Sequence, residues 1–189
     1  VGKDLSNISA WRFITPPAVW PKGIVVNTQG ARFCNEQVYG AKLGYEMMEH
    51  QGGKAWLIID SSLRRQAAWQ CLFGGLWGFQ AMPALALMYK VAVKGKSVAD
   101  LAKKIGADAA TLQRDFDAAN AAARGECEDA FGKSKDMRRE LKAGPLFAID
   151  ISISQKMFPL AVLSLGGLQV NELSGAVTDS TGRDIPGLY

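Results

Sequence analysis

Two hydroxyl-bearing residues sit among neighbours that would let them do chemistry. Tyr39 follows Asn35-Glu36 by a few positions. A phenol can donate a hydrogen bond to a carbonyl, or accept a proton if its neighbours lower its pKa from about 10. Helical spacing alone gives a plainer alternative, an aromatic of an amphipathic helix packed in a core. Ser164 precedes Leu165-Gly166-Gly167. Glycines allow close backbone approach to a ligand, and the hydroxyl could relay a proton or bond a substrate. The alternative is a strand-end serine beside an ordinary turn. Arg32 and Glu36 form a third polar set ahead of Tyr39, while Arg64 and Arg65 read as a solvated helix face. Tyr45 lies six residues past Tyr39 on the same expected helix and so faces elsewhere; Tyr89 is a further phenol without a supporting pattern. With His50 as the one histidine, no histidine-rich metal site can be drawn from this chain, and no metal is expected.

The elements that must position these groups are legible in outline. Pro16, Pro17 and Pro21 among aromatics suggest an irregular entry loop. Residues 23–27 and 31–34 read as a β-hairpin around Thr28-Gln29-Gly30. Residues 37–51 carry Val38, Leu43, Tyr45, Met47 and Met48 near helical spacing, stopped by Gly52-Gly53. Residues 55–59 read as a buried strand, and Asp60 as the N-cap of a helix through Leu72. The stretch 73–79 has no clear period; it reads as pocket lining, a membrane-touching rim or core. Ser97 and Asp108 are expected to cap two helices, with Asp100 in the capping-box position and Leu112, Phe116 and Ala119 as an apolar stripe. Residues 126–144 read as polar and exposed; 145–149, 151–153, 163–170 and 175–179 read as extended, and 179–182 as a turn.

Bulk properties exclude several classes. The chain has 189 residues, 48% hydrophobic and 21% charged, which is ordinary globular composition. No stretch approaches the ~20 apolar residues of a membrane helix. A net charge of +4, with bases scattered among acids, argues against a nucleic-acid partner. Cys34, Cys71 and Cys127 fit neither a disulfide framework nor a zinc site, so a reducing, cytoplasmic setting is expected. The chain starts at Val1 and stops at Tyr189 just past a Pro-Gly turn, and is read as an internal piece of a longer protein.

Four patterns recur in a recognisable order: Gly23-Ile-Val-Val-Asn-Thr-Gln-Gly-Ala-Arg-Phe-Cys-Asn-Glu36; the 97–120 helix pair followed by Phe131-Gly-Lys133; Leu163-Ser-Leu-Gly-Gly-Leu-Gln-Val-Asn171; and Asp179-Ser-Thr-Gly-Arg-Asp-Ile-Pro-Gly-Leu-Tyr189. Together they resemble the flavoprotein family of fumarate reductases and 3-ketosteroid dehydrogenases, most closely its ketosteroid branch. The resemblance implies an α+β fold: a cap, or substrate, domain over residues 15–155 with a small, mostly antiparallel sheet flanked by helices. Residues 1–14 would end a preceding FAD-domain segment, and 156–189 would start the returning one. The Gly-rich fingerprint that seats the pyrophosphate is absent. FAD is thus expected in the full-length protein, but not held by this piece.

The same resemblance implies desaturation, or reduction, of a carbon–carbon bond next to a ketone. A hydride leaves for the flavin, a base takes a proton, and a donor polarises the carbonyl. It makes Tyr39 and Ser164 the catalytic candidates. It puts Ser164, Leu165, Gly166, Gly167 and Tyr189 against the flavin, and makes Arg32, Asn35 and Glu36 braces between cap and flavin domain. Fumarate reductases carry a histidine where this chain has Leu163, and an arginine-bearing stretch where it has Gln37-Val38-Tyr39-Gly40. Both differences remove charge and favour a small apolar ketone, steroid-like, over a dicarboxylate. Ketosteroid 4-dehydrogenases are expected to carry a tyrosine where Ala161 and Val162 stand, so the bond attacked stays open. The alternatives are a fumarate-reductase-like reductase of a small unsaturated acid and a non-catalytic binding module. The expected partners are the ketone and the rest of the protein's own FAD domain.

Overall fold

The computed structural model of this chain describes residues 19–38, 40–75, 78–154 and 168–188. Among these the fold is α+β, with four strands and five α-helices. The strands are β1 (Ile24–Val26), β2 (Trp56–Asp60), β3 (Val93–Gly95) and β4 (Leu146–Asp150). They form one sheet in the order β1-β2-β4-β3, every pairing antiparallel. The register sets Leu57 opposite Ile149 and Ile58 opposite Ala148.

A sheet with one wet face would alternate apolar and polar residues. Here Leu57, Ile58 and Ile59 of β2 and Leu146 to Ile149 of β4 are all buried, so helices and loops cover both faces. That is why these strands read as short apolar runs. The outer strand β3 exposes Lys94, whose carbonyl accepts from Lys104 Nζ at 2.8 Å. A charged, side-chain-capped edge resists pairing with another chain.

The helices are α1 (Gly40–His50), α2 (Ser61–Phe73), α3 (Gly78–Ala86), α4 (Val98–Ile105) and α5 (Ala109–Arg124), with a π-helical turn over Leu87–Val91. All three expected caps form. Asp60 accepts from Leu63 N at 2.7 Å, Ser97 from Asp100 N at 3.2 Å, and Asp108 from Thr111 N at 2.7 Å. Asp100 bonds the amide of Lys96, one residue ahead of the cap, at 2.8 Å. Between α4 and β3 the packing is tight enough to require glycine. A Cβ on Gly95 would stand 2.8 Å from Leu101 N and Cα.

Several expectations are corrected. Residues 31–34 do not return as a strand; one bridge, Val26 to Arg32, forms. Asn27 Oδ1 instead takes the N–H groups of Gln29 and Ala31, and Gln29 O accepts from Asp108 N, docking the loop on the start of α5. On α1, Leu43 and Met47 are buried while Tyr45 and Met48 are exposed, so the apolar stripe is narrower than the spacing suggests. On α2, Trp69 and Phe73 stack with centroids 5.7 Å apart, yet both face solvent. In the last described segment, Val170 bridges Val177 and Thr178 bridges Asp184 without building a strand; residues 163–167 lie outside the described residues.

The 126–144 segment is the largest correction. Asp129, Lys133 and Leu141 are buried. Leu141 is held by Asn120 of α5, which accepts its N–H at 2.8 Å and donates to its carbonyl at 2.9 Å, as a neighbouring strand would. Asn120→Ala strands both groups. The expected cost is about 2 kcal/mol, read as a lower urea midpoint at unchanged slope.

Candidate functional site

The loop after β1 carries Arg32, whose guanidinium meets two carboxylates at once. Its Nε and Nη2 donate to Glu36 Oε1 and Oε2, both at 2.8 Å. Its Nη1 and Nη2 donate to Asp129 Oδ2 and Oδ1, at 2.6 and 3.1 Å. Lys133 Nζ lies 2.8 Å from Glu36 Oε2 and donates to Gly23 O at 2.7 Å. The four side chains are between 1% and 4% exposed. Two cations and two anions leave the cluster neutral, and the Phe131 ring covers the guanidinium at 5.0 Å.

Backbone amides complete the site. Val25 N of β1 donates to Glu36 Oε1 at 2.9 Å, tying the cluster to the sheet. Phe131 N and Lys133 N donate to Asp129 Oδ1 at 2.9 and 3.1 Å. Arg32 N donates to Asp115 Oδ2 of α5 at 2.8 Å. Asn35 acts locally: its Oδ1 accepts from Gln37 N at 2.9 Å and shapes the turn that leads into α1.

Burial and charge set the proton affinities. Burial works to lower the Arg32 pKa, but Glu36 and Asp129 more than offset it and raise it. Burial works to raise that of Asp129, yet the Arg32 and backbone N–H bonds hold it below the ordinary carboxylate value. Burial lowers that of Lys133 against the pull of Glu36. The Cys34 thiol is pushed up to about 12, first by burial and then by Glu36. Cys34 lines an open groove of about 410 Å³ with Phe33, Asn35, Val38, Lys42, Glu46 and Phe131.

The structure therefore brings Arg32 and Glu36 together and adds Asp129 and Lys133, which the sequence reading missed as a pair. The available signal was Asp129 four residues ahead of Lys133 around Phe131-Gly132, inside an otherwise polar stretch. Tyr39, Ser164, Leu165, Gly166, Gly167 and Tyr189 lie outside the described residues. Arg64 departs from the solvated-face reading: its guanidinium carbon sits 3.6 Å from the Phe147 ring centroid and 4.5 Å from that of Tyr89. A flavin dinucleotide needs free N–H groups at a helix N-terminus. At the N-termini of α2, α4 and α5 the caps Asp60, Ser97 and Asp108 each already take one N–H, and the two carboxylates put negative charge where a pyrophosphate would bind, so these three ends do not suit that group. Among the described residues no cluster of His, Cys, Asp and Glu suits a metal ion, and no helix is long and apolar enough to cross a membrane.

Two outcomes follow from the cluster. Asp129→Ala leaves Arg32 half-paired in a dry site, costing about 3 kcal/mol or more at pH 7. Because the Asp129 pKa is depressed on folding, its stabilisation is present above its unfolded value of about 3.9 and is lost as pH falls through the folded value. A urea midpoint against pH should show that acid loss in the parent and a flatter profile in the variant. Thiol reactivity gives the second test. Cys71 is pushed up to about 11 by burial, and Cys127 is exposed. Iodoacetamide at pH 8 should label Cys127 and spare Cys34 and Cys71, as read by peptide mass spectrometry.

Comparison with known proteins places the chain in a family. The chain is 79% identical over 189 residues to the 3-oxo-5-alpha-steroid 4-dehydrogenase of Comamonas testosteroni, covering 100% of this chain and 36% of that protein. It is 28% identical to the 3-oxosteroid 1-dehydrogenase of Mycolicibacterium smegmatis, covering 89% of this chain and 32% of the other. The chain thus spans about a third of the length of these curated relatives. Its fold matches the crystal structure of the 3-ketosteroid-delta4-(5alpha)-dehydrogenase of Rhodococcus jostii, determined with 4-androstene-3,17-dione, at a TM-score of 0.66 and 24% identity over 93% of this chain and 33% of that one. Residues 11–189 match the family described as FAD binding domain, and the chain belongs to that flavoprotein family.

Proposed function

We propose that this chain is the substrate-side portion of an FAD-dependent enzyme that desaturates a steroid-like ketone next to its carbonyl. The observation that carries the reading is the 79% identity along the whole chain to a 3-oxo-5-alpha-steroid 4-dehydrogenase. In this reading residues 15–155 form the cap, 1–14 end one FAD-domain segment and 156–189 begin the next. FAD, held mainly by other parts of the full-length protein, supplies the hydride acceptor.

This chain's own residues would then orient and polarise the substrate. Tyr39 donates to the ketone oxygen or moves the proton, and Ser164 assists from the Ser-Leu-Gly-Gly turn. Leu165, Gly166, Gly167 and Tyr189 contribute backbone and ring surface toward the cofactor. The charge balance supports an uncharged substrate. Arg32 and Lys133, the buried cations next to the segment that leads into Tyr39, are already matched by Glu36 and Asp129. Binding a dicarboxylate there would strip a cation from a buried partner, a loss of several kcal/mol.

Anaerobic titration of the full-length protein with a panel of 3-ketosteroids tests the reading. Bleaching of the visible flavin band by a saturated 3-ketosteroid is the expected result. A bound flavin that no steroid bleaches, but whose reduced form an anionic enoate reoxidises, would replace it with the fumarate-reductase-like alternative. Tyr39→Phe should lower kcat by about 10²-fold, and turnover near the parent value would remove Tyr39 from that role.

A further inference from the structure

We infer that the exposed apolar face of α2, with its neighbours on α3 and the π-helical turn, docks on the anionic surface of a lipid bilayer. Trp69 and Phe73 are its apolar anchors, and Arg65 and Lys90 its cations. The inference goes beyond the reaction proposed above and does not depend on it. Trp69, Leu72, Phe73 and Met82 are each between 63% and 70% exposed. Side chains of this size left in water forgo the burial that drives folding, and clusters of them mark contact with a partner or a membrane.

The exposed residues lie on elements that pack together. Arg65, Trp69, Leu72 and Phe73 recur at i, i+4, i+7 and i+8, one face of a helix. Leu63, Ala67 and Cys71 form the buried face of the same helix. The stacked rings of Trp69 and Phe73 make one preformed unit. α3 packs against α2, and the turn after it brings the Tyr89 ring to 4.5 Å from the Arg64 guanidinium carbon. Tyr89 and Lys90 on that turn are exposed.

Charge selects the occupant. From Ser61 to Ala99 the chain carries Arg64, Arg65, Lys90, Lys94 and Lys96, and no Asp or Glu. Arg64 is taken up between Phe147 and Tyr89, while the other four cations are exposed. Exposed apolar residues elsewhere are interleaved with acids. Tyr45 and Met48 on α1 lie beside Glu46 and Glu49, and Leu173 follows Glu172 in the segment assigned above to the FAD-domain side. An acid-free surface of aromatics and cations matches anionic headgroups, which take the cations while the rings enter the interface. Among the described residues no helix is long and apolar enough to cross a membrane, so α2 and α3 would lie on the bilayer. An apolar ketone collects in that same phase, which would bring the proposed substrate to the enzyme.

The test is co-sedimentation of the full-length flavoprotein with vesicles of phosphatidylcholine alone or mixed with phosphatidylglycerol. Flavin content, melting temperature and sedimentation velocity are recorded for each variant. The parent should partition onto the anionic vesicles and more weakly in high salt. A Trp69→Ser, Phe73→Ser double variant should keep parental flavin and melting temperature, yet bind about tenfold more weakly or worse. Arg65→Gln with Lys90→Gln should also lose about tenfold, and only on the anionic vesicles. A parent that stays in the supernatant, or a folded double variant that binds as the parent does, would overturn the inference. If the double variant does not fold, the charge variant decides, and parental binding by it would overturn the inference. A parental dimer that the double variant dissociates, without vesicle binding, would assign the face to a second copy instead. A parent that does not bind, with a double variant that loses flavin, would assign it to the rest of the protein's own chain. Vesicle binding needs no turnover, so failure of the proposed reaction would leave this result intact.

Discussion

Arg32, Glu36, Asp129 and Lys133 bring two positive and two negative charges into a nearly water-free volume. Desolvating each ion alone is costly, and their mutual attraction repays this only when every lone pair and proton is matched. Here the matching is close to complete. Glu36 takes Arg32, Lys133 and the Val25 amide, and Asp129 takes Arg32 and two backbone amides. Such a cluster tolerates little adjustment, because moving one member leaves another buried and unpaired. It therefore holds the end of β1, the turn before α1 and the loop after α5 in one relative placement.

The sheet supplies the other half of that placement. β2 and β4 are buried on both faces, so their position is set by packing rather than by solvent on one side. β1 sits at the sheet edge and offers the Val25 amide to Glu36. The cluster is thus referenced to the core through the backbone, not through side chains alone. Asn120 and Asp60 do similar work nearby. One imitates a strand partner for Leu141, and the other caps α2 while accepting from Lys142 N at 3.3 Å. The connection between α5 and β4, which has no helix or strand of its own, is thereby held near its C-terminal end, at Leu141 and Lys142.

Helix caps and buried strands were the legible part. Asp60, Ser97 and Asp108 act within four residues of themselves, and the apolar runs of β2 and β4 are local composition. Readings failed where a partner lies far away in the chain. Residues 126–144 look solvated because they are polar, and polarity cannot show that Arg32 and Glu36 wait about a hundred residues earlier. Arg64 looks like a surface charge because its aromatic neighbours come from β4 and the π-helical turn. Residues 31–34 look like a return strand, but the Asn27 turn and the Gln29 contact to α5 outcompete a two-strand ladder.

The sequence by itself determined the family, the sites of helix initiation, the strands that must be buried and Arg32 with Glu36 as one polar set. These depend on residue type and on neighbours a few positions away. The tertiary structure decided that Asp129 and Lys133 close the charge cluster, that Ser134 clasps Gln37, and that the sheet runs β1-β2-β4-β3. Each of these joins segments from 30 to 110 residues apart. The physical reason is that desolvation and pairing are settled only when the whole chain has closed around them, so no local window carries the answer.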